Sequence, residues 1–184
     1  MNLIIIFIIF TGLILLYQSW IKKSKQNKLY NEANKMSKLK GKKLLVIGDP
    51  EESNTNYFFG KYGCGDICVD LNGCGCDNSE NTIILKNKIE NVTDTFETDS
   101  VVIFESEVLE YVDDKNVDYI INELYRISGG DIFSIHELKP DNILTKIKQN
   151  GYKLFNSLSG KPSFECKRLF KKYPPYADYE YTKY

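Results

Sequence analysis

The chain has 184 residues, with 24 basic and 25 acidic side chains and a formal net charge of −1. This length suits one domain with short extensions, and the balanced charge argues against a nucleic-acid-binding protein. The single histidine excludes a metal site built from several histidines. The frequent asparagine, lysine, isoleucine and tyrosine are typical of AT-rich genomes, including viral ones.

Residues 1–21 form an almost entirely apolar segment without a charged side chain. As a helix, residues 3–21 would measure about 28 Å, close to the ~30 Å hydrocarbon core of a bilayer. Tyr17 and Trp20 stand where interfacial aromatic residues belong, and several lysines follow them. We therefore predict a single-pass transmembrane anchor, uncleaved because no basic residues precede the apolar run. The positive-inside rule places the globular domain in the cytoplasm.

Residues 22–41 are basic and polar, and they connect the apolar segment to the first predicted strand. Two interpretations stay open for them. They form a solvated linker or helical stalk, or they contact the anionic head groups of the membrane. Either way, the N-terminal part of the chain predicts the membrane as a partner.

Three short apolar runs predict the first strands of a sheet: residues 44–47, 66–71 and 82–85. The first run leads directly into Gly48, and the second contains Asp70 near its end. In an open parallel sheet, ligands bind beyond the carboxyl ends of the strands. These two residues are therefore candidates for a binding site.

Four cysteines lie in one glycine-rich segment: Cys64, Cys68, Cys74 and Cys76. Four thiolates can bind zinc, but their spacing is not that of two CxxC pairs. Disulfides would need an oxidising compartment, which the lysines near the apolar segment argue against. We therefore predict reduced structural cysteines and no metal. For the same reason we expect the glycosylation sequon Asn91-Val92-Thr93 to stay unmodified.

The segment 100–138 carries the clearest pattern in the chain. Val101–Phe104 is a continuous apolar run, typical of a strand buried on both faces. Apolar residues then recur at i, i+3, i+4 and i+7 from Val117, which predicts an amphipathic helix ending at Gly129. Residues 131–135 form another short apolar run. The segment therefore predicts a strand–helix–strand unit of a parallel sheet.

With the turn Val108-Leu109-Glu110-Tyr111, this segment resembles the central part of class I S-adenosylmethionine-dependent methyltransferases. In that family an apolar strand leads through an "LEH"-like turn into a helix, which a Gly-Gly turn connects to the next strand. The resemblance covers about residues 42–172. It implies an α/β fold with a trimmed, doubly wound, mostly parallel sheet and S-adenosylmethionine as the cofactor.

The resemblance also implies which residues bind the cofactor. Gly48 stands where the family has a glycine-rich loop, and Asp49 follows it as a partner for the cofactor's ammonium group. Asp70, about 20 residues beyond Gly48, would accept the ribose hydroxyls. Its alternative role is to begin the turn that follows the strand. Asn87, after the third strand, would contact the adenine or serve as an ordinary loop residue.

Candidate catalytic residues follow the fourth and fifth strands. Glu105 and Glu107 come after the apolar run of the fourth strand, and His136 comes after the fifth. His136 suits a general base because its ordinary pKa lies near neutrality. A carboxylate beside it could orient it or bind a cationic substrate. The alternative is that all three are solvent-facing loop residues.

The C-terminal region predicts a helix over Asp141–Gln149 and two strands, Tyr152–Asn156 and Ser163–Phe170. The resemblance implies that these strands form a closing antiparallel hairpin. We therefore divide the chain into a transmembrane anchor (1–21), a basic linker (22–41), a methyltransferase-like domain (42–172) and a flexible tyrosine-rich tail (173–184).

The predicted function is that of a membrane-anchored, S-adenosylmethionine-dependent methyltransferase-like protein with an unknown methyl acceptor. The family has two or three glycines in the first loop, whereas this chain has only Gly48 there. The alternative is therefore a catalytically inactive domain that serves as a membrane-tethered interaction scaffold. A cavity beside Gly48 with Asp70 at its wall favours the enzyme. A cavity filled by Tyr57 or Phe58 favours the scaffold.

Overall fold

The computed structural model of the chain describes residues 3–49, 62–75 and 81–135, residue 146, and residues 153–155, 165–166 and 168–170 of three strands. Its helices and strands are α1 (Leu3–Lys40), β1 (Lys43–Ile47), β2 (Ile67–Asp70), β3 (Ile83–Lys86), β4 (Val101–Ser106), α2 (Asp114–Ser128), β5 (Ile132–Ile135), β6 (Lys153–Phe155), β7 (Glu165–Cys166) and β8 (Arg168–Phe170).

The main sheet has the strand order β3-β2-β1-β4-β5-β7. Strands β1 to β5 are parallel, and β7 pairs antiparallel with β5. The predicted α/β fold with a mostly parallel sheet is therefore confirmed. The order of the parallel strands is that of a doubly wound sheet, in which the chain reverses its direction of growth at β1. The gap between the ends of β1 and β4 is thus the place where such sheets bind ligands.

The predicted C-terminal hairpin is present only in part. Within the run predicted as one strand, Ser163–Phe170, the described residues form two strands, β7 and β8. Its two halves have different partners: β7 pairs with β5, whereas β8 pairs antiparallel with β6 in a separate two-stranded sheet. Most of the predicted helix Asp141–Gln149 and all of the tail 173–184 lie outside the described residues.

The predicted strand–helix–strand unit is present in β4, α2 and β5. The face of α2 predicted to be apolar is buried, with Val117, Ile120 and Ile121 all fully inaccessible to solvent. Gly129 ends α2 in the left-handed conformation (φ 66°), and its amide donates to the carbonyl of Tyr125 at 2.8 Å. This geometry favours glycine because it has no side chain to clash.

Two apolar clusters cover the two faces of the main sheet. On one face, α2 and two short 3-10 turns, Ile89–Asn91 and Thr93–Thr95, pack on alternate strand residues. On the other face, α1 packs on the residues that alternate with them, such as Val46 and Phe104. The domain therefore has three layers, with the parallel sheet in the middle.

The C-terminal half of α1 is one of these layers. Leu29 and Ala33 are fully buried in the core cluster beneath the sheet. At the end of the helix, Lys40 Nζ lies 2.6 Å from the carboxylate of Asp131, which precedes β5. Residues 22–40 are thus a packed part of the domain rather than a linker, because every third or fourth side chain is needed to cover the sheet.

The N-terminal half of α1 extends beyond this core. Its large apolar side chains are exposed from Phe7 (71% exposed) to Trp20 (51%). Consecutive residues such as Ile8 and Ile9 are both exposed, so the apolar surface surrounds the helix. Among the residues whose side chains the structure describes, no helix combines the length and the hydropathy needed to cross a membrane.

Candidate functional site

A cavity of about 610 Å³ opens at the carboxyl ends of β1, β2 and β4. It lies at the switch point of the doubly wound sheet, where the strand order predicts a ligand site. Its walls include five residues predicted to form the site: Gly48, Asp49, Asp70, Asn87 and Glu107. The fold therefore brings together residues that are up to 59 positions apart in the sequence.

Gly48 forms the turn by which the chain leaves β1. Its φ angle is 104°, and a Cβ atom there would lie 3.0 Å from Val108 Cγ2 and 3.2 Å from the Ser106 carbonyl oxygen. Its amide donates to the carbonyl of Val69 at 2.9 Å. The turn therefore needs glycine, both for its conformation and for its close approach to the end of β4.

Two aspartates stand at the ends of β1 and β2. Asp49 Oδ1 accepts the amide of Gly75 at 2.9 Å, and Asp70 Oδ1 accepts the amide of Asn72 at 2.7 Å. The predicted turn-forming role of Asp70 is thus present in the structure. Because an ionised carboxylate has about four acceptor positions, both residues keep the capacity to bind a ligand as well.

Asn87 lies at the outer rim of the cavity, after β3. Its side-chain oxygen accepts the amide of Lys88 at 2.8 Å and the side-chain amide of Asn91 at 2.9 Å. The side chain is exposed. Since its oxygen serves the turn, the Nδ2 amide is the group that Asn87 can offer to a ligand.

The three predicted catalytic residues have different positions. Glu107 lines the cavity and has a left-handed backbone (φ 66°) at the end of β4. Glu105 is fully buried, outside the cavity wall, and holds the turn that follows β4: its Oε1 accepts the amides of Val108 at 2.6 Å and Leu109 at 3.0 Å. His136 lies outside the described residues. Glu105 is therefore a structural residue that positions the cavity wall.

Burial raises the pKa of Glu105 to about 7, even though hydrogen bonds from Ser134, Leu109 and Val108 favour its ionised form. The Ser134 hydroxyl donates to its Oε2. A carboxyl with this pKa is partly protonated at neutral pH. The turn between β4 and α2 is therefore held by a group that titrates near pH 7.

The opposite wall of the cavity contains residues that the sequence analysis did not select. Lys23 and Gln26 reach it from α1, and both are only 4% exposed. Gln26 Nε2 donates to Ser106 Oγ at 3.0 Å, and Lys23 Nζ lies 5.9 Å from the centre of the Tyr62 ring. Their spacing in the sequence could have predicted this burial, because residues 23, 26, 29 and 33 lie on one face of a helix.

Tyr62 forms the floor of the cavity between α1 and β4. Its ring packs against Phe104 with a centroid separation of 4.8 Å, and its hydroxyl group is hydrogen-bonded with Ser106. Burial raises the pKa of Tyr62, so the phenol stays protonated at neutral pH. The packing of the Tyr62 ring on Phe104 therefore fixes the position of the Tyr62 hydroxyl group in the cavity.

The cysteines differ from the prediction of reduced thiols. Cys68 in β2 and Cys74 form a disulfide, and Cys64 is also disulfide-bonded. Folding brings the loop back beside β2, which the sequence spacing did not reveal. The Cys68–Cys74 loop encloses Asp70, so the disulfide constrains one wall of the cavity. Within the described residues, no group of side chains could hold a metal ion.

The charges around the cavity are predominantly negative. Among the described residues, four carboxylates line it (Asp49, Asp70, Glu90 and Glu107), against two lysines (Lys23 and Lys88). A cavity walled by one predominant charge attracts ligands of the opposite charge. It therefore suits a cationic ligand better than a phosphate-rich one.

A second cavity, of about 600 Å³, has described walls that all belong to α1, between Trp20 and Lys35. No strand end or glycine turn contributes to its described walls. The cavity at the strand ends is therefore the stronger candidate site.

Comparison of the chain with protein-family models, with curated proteins and with solved structures found no match.

Proposed function

We propose that this protein is a membrane-associated, S-adenosylmethionine-dependent methyltransferase-like protein whose cavity at the strand ends binds the cofactor. The observation that carries the proposal is the set of carboxylates around the glycine turn of Gly48, at the switch point of the sheet. The sheet order and the antiparallel edge strand β7 also support it, since the family resemblance implies a sheet of this kind.

The chemistry of the cavity fits this cofactor, which carries a cationic sulfonium group, an ammonium group, a ribose and an adenine. Asp49 would hold the ammonium group, and Asp70 would accept the ribose hydroxyls. Asn87 would offer its amide to the adenine. The bound cofactor supplies an electrophilic methyl group, and the protein residues orient it and exclude water.

We also propose that the N-terminal segment of α1 anchors the protein in a lipid bilayer. Exposed apolar side chains surround the helix between Phe7 and Trp20, and a helix that is apolar on all sides is typical of a hydrocarbon environment. An exposed apolar surface of this extent marks an interaction site. The lysines after Trp20 favour the cytoplasm as the location of the domain, whereas the Cys68–Cys74 disulfide is typical of an oxidising compartment.

The test is calorimetric titration of the full chain in detergent micelles. We expect S-adenosylmethionine and S-adenosylhomocysteine to bind, whereas ATP is repelled by the carboxylates. Asp70→Ala should weaken binding at least tenfold because it removes the acceptor of the ribose hydroxyls. Asp94→Ala is the matched control, since Asp94 is exposed and lies outside the cavity wall.

Absence of S-adenosylmethionine binding to the folded protein contradicts the proposed cofactor site. It would leave the alternative function, a membrane-tethered interaction scaffold. Equal losses in Asp70→Ala and Asp94→Ala would contradict the assigned role of Asp70. Circular dichroism of each variant establishes that the protein being titrated is folded.

A further inference from the structure

Gln26, in the cavity wall, has a buried polar atom without a hydrogen-bond partner in the described part of the chain. Gln26 is 4% exposed, and its Nε2 group donates to Ser106, but its Oε1 atom has no hydrogen-bond partner there. A buried acceptor without a partner costs about 1–3 kcal/mol. A ligand that donates a hydrogen bond from within the cavity would remove this cost.

The position of Gln26 on α1 indicates where such a ligand comes from. Trp20 is exposed at the end of the apolar segment, and Gln26 lies six residues farther along the same uninterrupted helix. Six residues of helix measure about 9 Å along the axis. If Trp20 lies at the inner edge of the head-group region, which is roughly 5–8 Å deep, the cavity wall lies about 9 Å away, at the outer edge of that region.

The charge of the cavity restricts the chemistry of the ligand. Glu107 and Asp49 lie at the end of β4 and after β1, whereas Lys23 stands on the α1 side. Carboxylates together with an amide acceptor suit an ammonium or amine group, which donates several hydrogen bonds. A cavity of about 610 Å³ has room for a small head group but not for a folded protein.

We propose that the methyl acceptor is the amine-bearing head group of a membrane lipid, which enters the cavity beside Gln26 while its acyl chains stay in the bilayer. This inference rests on the proposed function and names its substrate class. The bound ammonium group first releases a proton to Glu107 or to water, which leaves a neutral amine. Its nitrogen attacks the methyl carbon and forms a carbon–nitrogen bond, while the carbon–sulfur bond breaks with its electron pair on sulfur. The methylated nitrogen then carries the positive charge that sulfur has lost.

The test uses the full chain reconstituted in vesicles of phosphatidylcholine that contain phosphatidylethanolamine. Two signals are followed: radiolabel from the methyl group of S-adenosylmethionine in extracted lipid, and crosslinking of a photoactivatable phosphatidylethanolamine head group to the protein without cofactor. Vesicles of phosphatidylcholine alone are the matched lipid control, because its quaternary nitrogen cannot accept a methyl group. We expect label and crosslink only with phosphatidylethanolamine, with the crosslink near Gln26.

Two variants test the role of the cavity and the role of the membrane contact separately. Gln26→Met keeps the length of the side chain but removes the acceptor, so head-group crosslinking should fall about tenfold. Inserting about two helical turns, ~7 residues, after Trp20 lifts the domain by roughly 10 Å while keeping the helix phase. This insertion should abolish lipid labelling but leave calorimetric binding of S-adenosylmethionine unchanged.

Label in protein rather than lipid, or no label at all despite cofactor binding, overturns the lipid proposal and leaves the cofactor site intact. Equal lipid labelling by the insertion variant also overturns it. Absence of cofactor binding contradicts the proposed function itself, and calorimetry on the same samples distinguishes that failure from the others.

Discussion

Gln26 and Ser106 are joined by a hydrogen bond of 3.0 Å, although 80 residues separate them in the sequence. The bond connects α1 to the end of β4, at the wall of the cavity. It fixes the side of the cavity that the helix contributes. The site is therefore completed by a segment that precedes the first strand.

The energetic coupling of this pair is testable with a double-mutant cycle. We expect Gln26→Met and Ser106→Ala to show a coupling of about 1 kcal/mol in the free energy of unfolding, because each removes the same hydrogen bond. Urea denaturation of the full chain in micelles measures it. A cycle of Lys28→Ala with Ser106→Ala is the control, since Lys28 is exposed. Additive effects in the first cycle would show that the bond contributes nothing.

Leu29 tests whether α1 belongs to the core of the domain. Leu29→Ala should lower the free energy of unfolding by about 2–5 kcal/mol, because it leaves a cavity beneath the sheet. Leu39→Ala is the matched control on the same helix, since Leu39 is 74% exposed. Similar small effects in both variants would contradict the packing of α1 described above.

Glu105 should make stability depend on pH. Its pKa rises from 4.5 to about 7 on folding, so the folded state binds the proton more tightly. The stability that Glu105 contributes is therefore fully present at low pH and falls by roughly 3 kcal/mol as the pH rises from about 4.5 to about 7. Glu105→Gln should remove this fall and be more stable than the unchanged chain at pH 8.

Urea denaturation between pH 4 and pH 8 measures this effect. Glu97→Gln is the control, because Glu97 is exposed and its replacement should leave the pH dependence as it was. An unchanged pH dependence in Glu105→Gln would show that another group causes it.

The Cys68–Cys74 disulfide should support ligand binding. The disulfide closes the loop that contains Asp70. Without the disulfide, ordering this wall of the cavity on ligand binding costs about 2 kcal/mol more in chain entropy. Cys74→Ser should therefore weaken S-adenosylmethionine binding several-fold. Reductant should weaken binding to the unchanged chain by a similar factor and affect Cys74→Ser less. Equal affinity of both proteins, with and without reductant, would contradict this role.

The sequon at Asn91 reports on which side of a membrane the domain lies. Asn91 is exposed in the folded domain. If the domain faces the cytoplasm, we expect no glycan, and an N-glycosidase should not change the electrophoretic mobility of the protein made in eukaryotic cells. A mobility shift that disappears in Asn91→Gln would place the domain in an oxidising compartment, where disulfides are typical.

The sequence predicted the parallel strands and α2 well because their signals are local. Apolar runs, the helical spacing after Asp113 and the glycine that ends α2 each depend on a few neighbouring residues. In a parallel sheet the carboxyl ends of neighbouring strands lie at the same edge, so the ends of β1 and β2 were expected to lie close together. The sequence therefore predicted that Gly48 and Asp70 share one site.

The other features depend on contacts between distant residues. The buried positions of Lys23 and Gln26 follow from the packing of α1 on the sheet. Their basic and polar neighbours along the chain gave no sign of this packing. Glu105 resembled a rim residue, but its carboxylate turns inward to hold the next turn. The separation of β7 from β8 depends on two different partner strands, so no local pattern in residues 163–170 reveals it.

The uninterrupted helix α1 has a consequence for the order of events during synthesis. Residues 23–37 leave the ribosome before the strands that they cover, because β4 and β5 are complete only at residue 135. Until then Leu29 and Ala33 have no core to enter. A nascent chain held at the bilayer by its first residues would keep α1 close to the membrane while the rest of the chain is made. The strands would then pack onto the side chains of α1 as each strand is completed.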